Sequence, residues 1–207
     1  MMHTLLTPPL RILALVLACN ATCTSAMADT DPDTAILNET AQVAGKHLRL
    51  NGAGISFHLF FKVYAMGLYL LDHRSTVEDV LASNGPRRLF IALLRDVSGG
   101  DFEERVLRSI SGEGNTTPAE IAARMLQLAK TISAQPQGLR KGDTLTLDWV
   151  PGTGTVIELN RRRLTDPVPD IAFYNALLNI WLGDKPTDPA LKAKLLGGPV
   201  PMRTVMN

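Results

Sequence analysis

Both cysteines of the 207-residue chain, Cys19 and Cys23, fall within its first 28 residues. The rest has none, which excludes disulfides, a thiol nucleophile and a zinc-thiolate site. Stability must then come from core packing. An excess of charge is missing too: 21 Lys and Arg face 20 Asp and Glu, a formal charge of +1. Such a surface exerts no bulk pull on nucleic acid or acidic membranes. No apolar run reaches the roughly 20 residues of a membrane helix. There is no GxSxG elbow and no HExxH, so serine-hydrolase and zincin chemistry have no support. Three histidines lie beyond the first 28 residues, His47, His58 and His73, at no metal-ligand spacing. No metal or other cofactor is implied. What is present is ordinary: 45% hydrophobic and 20% charged residues, the composition of a globular domain.

Residues 1–28 carry one charged side chain, Arg11, and no acid. Ile12 to Ala18 is a short apolar core, followed by small and polar residues and then Ala26-Met27-Ala28, the small-x-small pattern that a signal peptidase accepts. A run this short does not span a bilayer. We expect cleavage after Ala28 and export, to the periplasm. Cleavage leaves a chain with no transmembrane segment and with 20 basic and 20 acidic residues. Cys19 after Val16-Leu17-Ala18 opens a lipoprotein alternative, which bulky Leu17 fits poorly. The expected organisation is a leader at 1–28, a loose polar lead-in at 29–45, one domain at 46–197 and a loose tail at 198–207.

Along the domain, Lys46 to Leu50 alternates as a strand and Asn51-Gly52-Ala53-Gly54 reads as a turn. Phe57 to Leu71 is apolar on both parities, with His58, Lys62 and Tyr64 as handles on one of them, and predicts a single strand covered on both sides. Within it, Gly67 suits a bulge or a close approach. Arg88 to Val97 is a further strand. Phe102, Val106 and Ile110 recur at a helical spacing from Asp101 on. Thr117-Pro118-Ala119-Glu120 has the form of a capping box before the stripe Ile121, Met125, Leu128, Ile132. Leu145-x-Leu147-x-Trp149 and Val156 to Leu159 form a hairpin, with Asn160-Arg161 a next turn. Pro169-Asp170 opens a helix from Ile171 to Leu182 that Gly183 ends. Strands and helices come in runs, so the fold class is α+β with an antiparallel sheet.

Few residues suggest chemistry directly. Gly152-Thr153-Gly154 lacks the Lys-Ser/Thr ending of a phosphate loop and sits between strands, as a hairpin turn does. Arg161-Arg162-Arg163 reads as a solvated hairpin tip. Glu103 and Glu104 are adjacent on a helix and point apart, unsuited to paired acid–base work.

Leu50-Asn51-Gly52-Ala53-Gly54, followed by Phe61-Lys62-Val63-Tyr64-Ala65-Met66-Gly67-Leu68-Tyr69-Leu70, resembles the chalcone isomerase family, and more closely its bacterial, exported chalcone-isomerase-like branch. Ser98 to Val106, Lys141-Gly142-Asp143, Asp148-Trp149-Val150-Pro151-Gly152 and Ile180-Trp181-Leu182-Gly183-Asp184-Lys185 follow in the right order. The resemblance spans Lys46 to Gly197. It implies a large antiparallel sheet with a helical layer on one face. The plant enzymes close chalcones into flavanones in a cleft between the two layers. Non-catalytic relatives also occur, some of which bind fatty acids.

Carried over residue by residue, the plant enzymes' polar set is absent. Their arginine after the Gly-Ala-Gly turn is Ser56 here, and a threonine on the long strand is Tyr64. A tyrosine is Phe102, an asparagine is Ser109 and a threonine is Ile180. Losing a preorganised cation typically costs about 2.7–4 kcal/mol of transition-state stabilisation. The cleft implied is apolar, with Tyr64 as its main polar handle and Lys62 on the same face by parity. Phe102, Ile180 and Trp181 are expected to form the opposite wall. Such a lining suits non-catalytic binding of a fatty acid or another amphipathic small molecule. The alternative is an isomerase of the intramolecular lyase class with a different catalytic set, favoured if a buried basic group faces Tyr64. A plain partner-binding module with a filled core is the third option.

Overall fold

A computed structural model describes residues 36–111, 117–135, 138–186 and 188–198. Among these residues seven strands run β1 (Thr40–Val43), β2 (Lys46–His58), β3 (Phe61–Leu70), β4 (Arg87–Leu93), β5 (Thr144–Val150), β6 (Gly154–Leu159) and β7 (Arg162–Arg163). They pair in sequence order, every pair antiparallel, as a meander. Five helices complete the fold among the described residues: α1 (Val77–Leu81), α2 (Gly99–Ser111), α3 (Ala119–Ser133), α4 (Ile171–Leu182) and α5 (Pro189–Leu195).

The main core lies between one sheet face and the helices. Met66 and Leu68 of β3 register with Ile91 and Leu89 of β4, and these with Leu145 and Leu147 of β5. This row meets Phe173, Tyr174 and Leu177 of α4 and Met125 and Ile132 of α3. The opposite face holds a smaller cluster of Val43, Leu48 and Tyr69. The sheet curls enough for β1 to touch β4, and Tyr69 donates its hydroxyl proton to the Asn38 carbonyl at 2.9 Å. β3 is therefore buried on both sides, as its parity implies. Gly67 allows the close approach, since a Cβ there would stand 3.0 Å from both Leu50 and Tyr69 side chains.

Four local expectations change. First, part of the lead-in is not loose: Thr40 to Val43 pairs with β2. Second, Asn51 to Gly54 is not a turn but the middle of β2. Asn51 is the extra residue of a bulge, and its side chain bonds Arg74 N and the carbonyls of Arg74 and Leu195 at 2.7–2.9 Å. Gly52 and Gly54 make room for α5. A Cβ on Gly52 would lie 2.1 Å from the Lys194 carbonyl oxygen. Third, Phe57 to Leu71 is not one strand. A turn at Leu59-Phe60 divides it, with Leu59 at φ +55°. No glycine, asparagine or proline marks that turn, so the sequence pattern runs through it. Fourth, α3 starts at Ala119 with Pro118 as N-cap and no side-chain capping bond. Glu120 instead pairs with Arg124 at 3.1 Å. Asp170 caps α4 through the Ala172 amide, and Gly183 ends it, as expected. The expected leader at 1–28, the start of the lead-in and the tail from 199 lie outside the described residues.

Candidate functional site

Beside α2 the sheet and helices part. Between the first half of β3, the ends of β4 and β5, α2 and the end of α4 lies an open cavity of about 150 Å³. Its floor is apolar: Val63, Ile91, Leu93 and Leu145. A second bulge makes that floor. Ser56 registers with Tyr64, but the next pair is Phe57 with Lys62, so Val63 is the extra residue. Val63 and Tyr64 consequently both face the cavity. A bulge reverses the alternation before it. Lys62 is thereby moved off Tyr64's face, contrary to the parity reading, and does not line the cavity.

Tyr64 is buried, and its hydroxyl oxygen accepts the Trp181 indole N–H at 2.8 Å. That bond holds the phenol in place and leaves its proton as a donor. The Arg105 guanidinium lies 5.9 Å from the centroid of the Tyr64 ring, within cation–π range. Phe102 and Arg105 reach the cavity from α2, with Arg108 one turn further on. Arg95, Asp96, Asp101 and His58 form its rim. The Arg95 guanidinium stands 5.7 Å over the Phe61 ring.

Of the residues singled out from sequence, the structure thus brings Tyr64, Phe102 and Trp181 together on one cavity. Four others do not line it. Ser56 is buried beside Tyr64 in the register. Ser109 turns its hydroxyl back to the Val106 carbonyl at 2.7 Å. Ile180 is packed in the main core, and Lys62 is displaced by the bulge. Sequence reasoning missed the arginines. The signal was there in Asp101, Glu104, Arg105 and Arg108, a polar stripe of helical spacing beside the apolar one.

The comparisons with known proteins agree with this architecture. A profile of the family described as chalcone isomerase-like matches residues 30–197. No curated protein matches the sequence. Among solved structures, the crystal structure of the Arabidopsis thaliana fatty-acid binding protein AtFAP1 is similar in fold, with a TM-score of 0.53 at 14% identity. The superposition covers 76% of this chain and 96% of that one. The profile match takes in most of the lead-in along with every described strand and helix, so β1 belongs to the same unit as the rest. The chain belongs to the chalcone isomerase-like family.

Proposed function

We propose that this chain is an exported, non-catalytic binding protein for an amphipathic small molecule, a fatty acid in the first instance, held in the cavity between β3 and α2. One observation carries the reading: an apolar floor closed on one side by the Tyr64–Trp181 pair and edged by arginines. An apolar chain fits the floor, and a carboxylate fits the Tyr64 hydroxyl and the Arg105 guanidinium. The fatty-acid binding relative in fold supports the same class of ligand. The cavity is small. About 150 Å³ is the size that takes a benzene-like body. It therefore accommodates a short length of chain, with the remainder leaving through the open mouth.

Calorimetric titration of delipidated protein with a panel of fatty acids tests the reading. Short and medium chains are expected to bind one to one, with saturation lost on Phe102→Trp, which fills the cavity. Absence of binding across the panel would overturn it. Export rests on the acid-free leader, and N-terminal sequencing of protein from the envelope fraction checks it. A chain beginning at Asp29 is expected, and one beginning at Met1 would refute export.

A second reading has its own support. Arg105 places a cation beside the Tyr64 phenol, which is the feature an enolate-stabilising isomerase requires. Spectrophotometric turnover of naringenin chalcone separates the two. No acceleration over the spontaneous reaction is expected. Acceleration that Arg105→Gln abolishes would favour the isomerase.

A further inference from the structure

The turn between β2 and β3 exposes an unusual surface. Phe60 is 88% exposed, Leu59 73%, Phe61 62% and Phe57 47%. These are four large apolar side chains within five residues, at a hairpin turn where Gly, Asn and Asp are the usual occupants. Leu59 also holds the left-handed backbone region, which a residue with a branched side chain rarely adopts. Nothing in the fold gains from presenting this surface to water. A contiguous exposed apolar patch marks an interaction site.

Charge around the tip narrows the choice. In a meander, successive connections alternate between two rims of the sheet. The tip shares its rim with the connections after β4 and before β5 and with the Asn160-Arg161 turn. That rim exposes Arg95, Arg140, Lys141 and Arg161, with Arg162 and Arg163 beginning β7. Fewer acids stand there: Asp96, Asp101 and Asp143, with Glu158 registered opposite Arg163. Asp96 accepts the Lys141 amide at 2.8 Å, and Asp143 accepts the Arg140 amide and the Asn160 side chain at 2.7 and 2.8 Å. The opposite rim carries Asp72, Glu78, Asp79, Asp166 and Asp170 against Lys46 and Arg74, with Asp72 paired to Arg74 and Asp170 capping α4. A chain of almost zero net charge is thus polarised along its strands.

We propose that the Leu59-Phe60 tip and the basic rim beside it form a docking site for an anionic lipid surface, with the tip inserted among the lipids. A protruding wedge of aromatic and aliphatic side chains flanked by cations matches the chemistry of a negatively charged bilayer face. The attachment is peripheral: no described helix is long and apolar enough to cross a membrane. The tip also borders the cavity mouth, because His58 and Arg95 line the cavity while Arg95 covers Phe61. Docking would turn that mouth towards lipid. The proposal goes beyond ligand binding and does not depend on what the cavity holds.

Flotation of the leader-free chain with phosphatidylcholine vesicles, with and without phosphatidylglycerol at about one lipid in three, tests it. Binding is expected only to the anionic vesicles and is expected to weaken with salt. Leu59→Ser with Phe60→Ser should reduce it at least about tenfold, with no change in the urea midpoint, since both side chains are exposed. Arg140→Gln with Lys141→Gln should weaken it severalfold. In Phe60→Trp, fluorescence from the new indole should shift blue on vesicles and be quenched by brominated lipid. No binding to anionic vesicles, or equal binding by the tip variant, overturns the proposal. So does a wild-type dimer that the tip variant loses without any vesicle binding, because a second copy then covers the tip. Fatty-acid titration of the same tip variant keeps the two readings apart.

Discussion

Each end of the sheet's helical face holds a tyrosine with an arginine over its ring. At one end the Arg87 guanidinium stands 5.2 Å from the Tyr174 ring, and at the other Arg105 stands 5.9 Å from Tyr64. The first pair is consumed by the fold. Arg87 is fully buried and donates to the carbonyls of Val80 and Leu81, which end α1, and to Asn175 on α4. Burial lowers its proton affinity below the ordinary guanidinium value, with Tyr174 opposing the shift. Tyr174 is sealed beneath it, and burial holds the phenol far above its ordinary range. The second pair borders a cavity. Trp181 supplies a hydrogen bond to the Tyr64 oxygen, which leaves the Tyr64 proton directed elsewhere. Like residues therefore serve structure where they are sealed between α1 and α4, and line a cavity where the helical layer stands off the sheet.

Matched substitutions at the two ends test that contrast. Phe173→Ala beside Tyr174 should cost about 3–5 kcal/mol in urea unfolding, because Phe173 is fully buried in the main core. A loss under about 1 kcal/mol would mean the closed end is not close-packed. Gly52→Ala, also at the closed end, drives a Cβ against the Lys194 carbonyl and should cost about 1–3 kcal/mol. Backbone cannot yield there as a flexible side chain would. Retention of wild-type stability would show that α5 does not rest on β2.

At the open end the effects should appear in binding rather than stability. Tyr64→Phe removes one hydrogen-bonding hydroxyl and should weaken fatty-acid affinity by about 0.5–1.5 kcal/mol, measured by calorimetry. Unchanged affinity would take the phenol out of the site. The smallest effect is reserved for Phe61→Ala. From the apolar pattern of Phe57 to Leu71, Phe61 reads as core, and its truncation would cost about 3–5 kcal/mol. The structure leaves it mostly exposed at the start of β3. The expected loss is now under about 1 kcal/mol, most of it the Arg95 contact. A core-sized loss would close the open end and remove the comparison.

The Phe57–Leu71 segment also shows how far pattern reading goes. Its central portion, Val63 to Leu70, is buried on both faces as its composition requires. Its first five residues, apolar but for His58, lie exposed at the tip of a hairpin. Hydrophobicity measures how strongly a residue prefers burial, and does not say whether anything is available to bury it. The site divides in the same way. Tyr64, Phe102 and Trp181 could be singled out because the family's block order carries them. Lys62 could not be placed, because one inserted residue, Val63, inverts the alternation that parity depends on.

Local and periodic information was sufficient for the existence of β4, β5 and β6, though β4 stops at Leu93 and not at Val97, for α2 and α3, and for the Asp170 and Gly183 ends of α4. Those features depend on neighbours within a turn or a strand pair. The role of Gly52 and Gly54 was settled only when α5, some 140 residues away in sequence, came to lie on them. The same holds for Asn51, whose amide reads as a turn former and acts as a tertiary tie. The curl that buries Tyr69, the gap that leaves a cavity beside Tyr64, and the gathering of distant arginines on one rim belong to the same class. Each is set by how far one layer stands from another, a distance that no window of sequence contains.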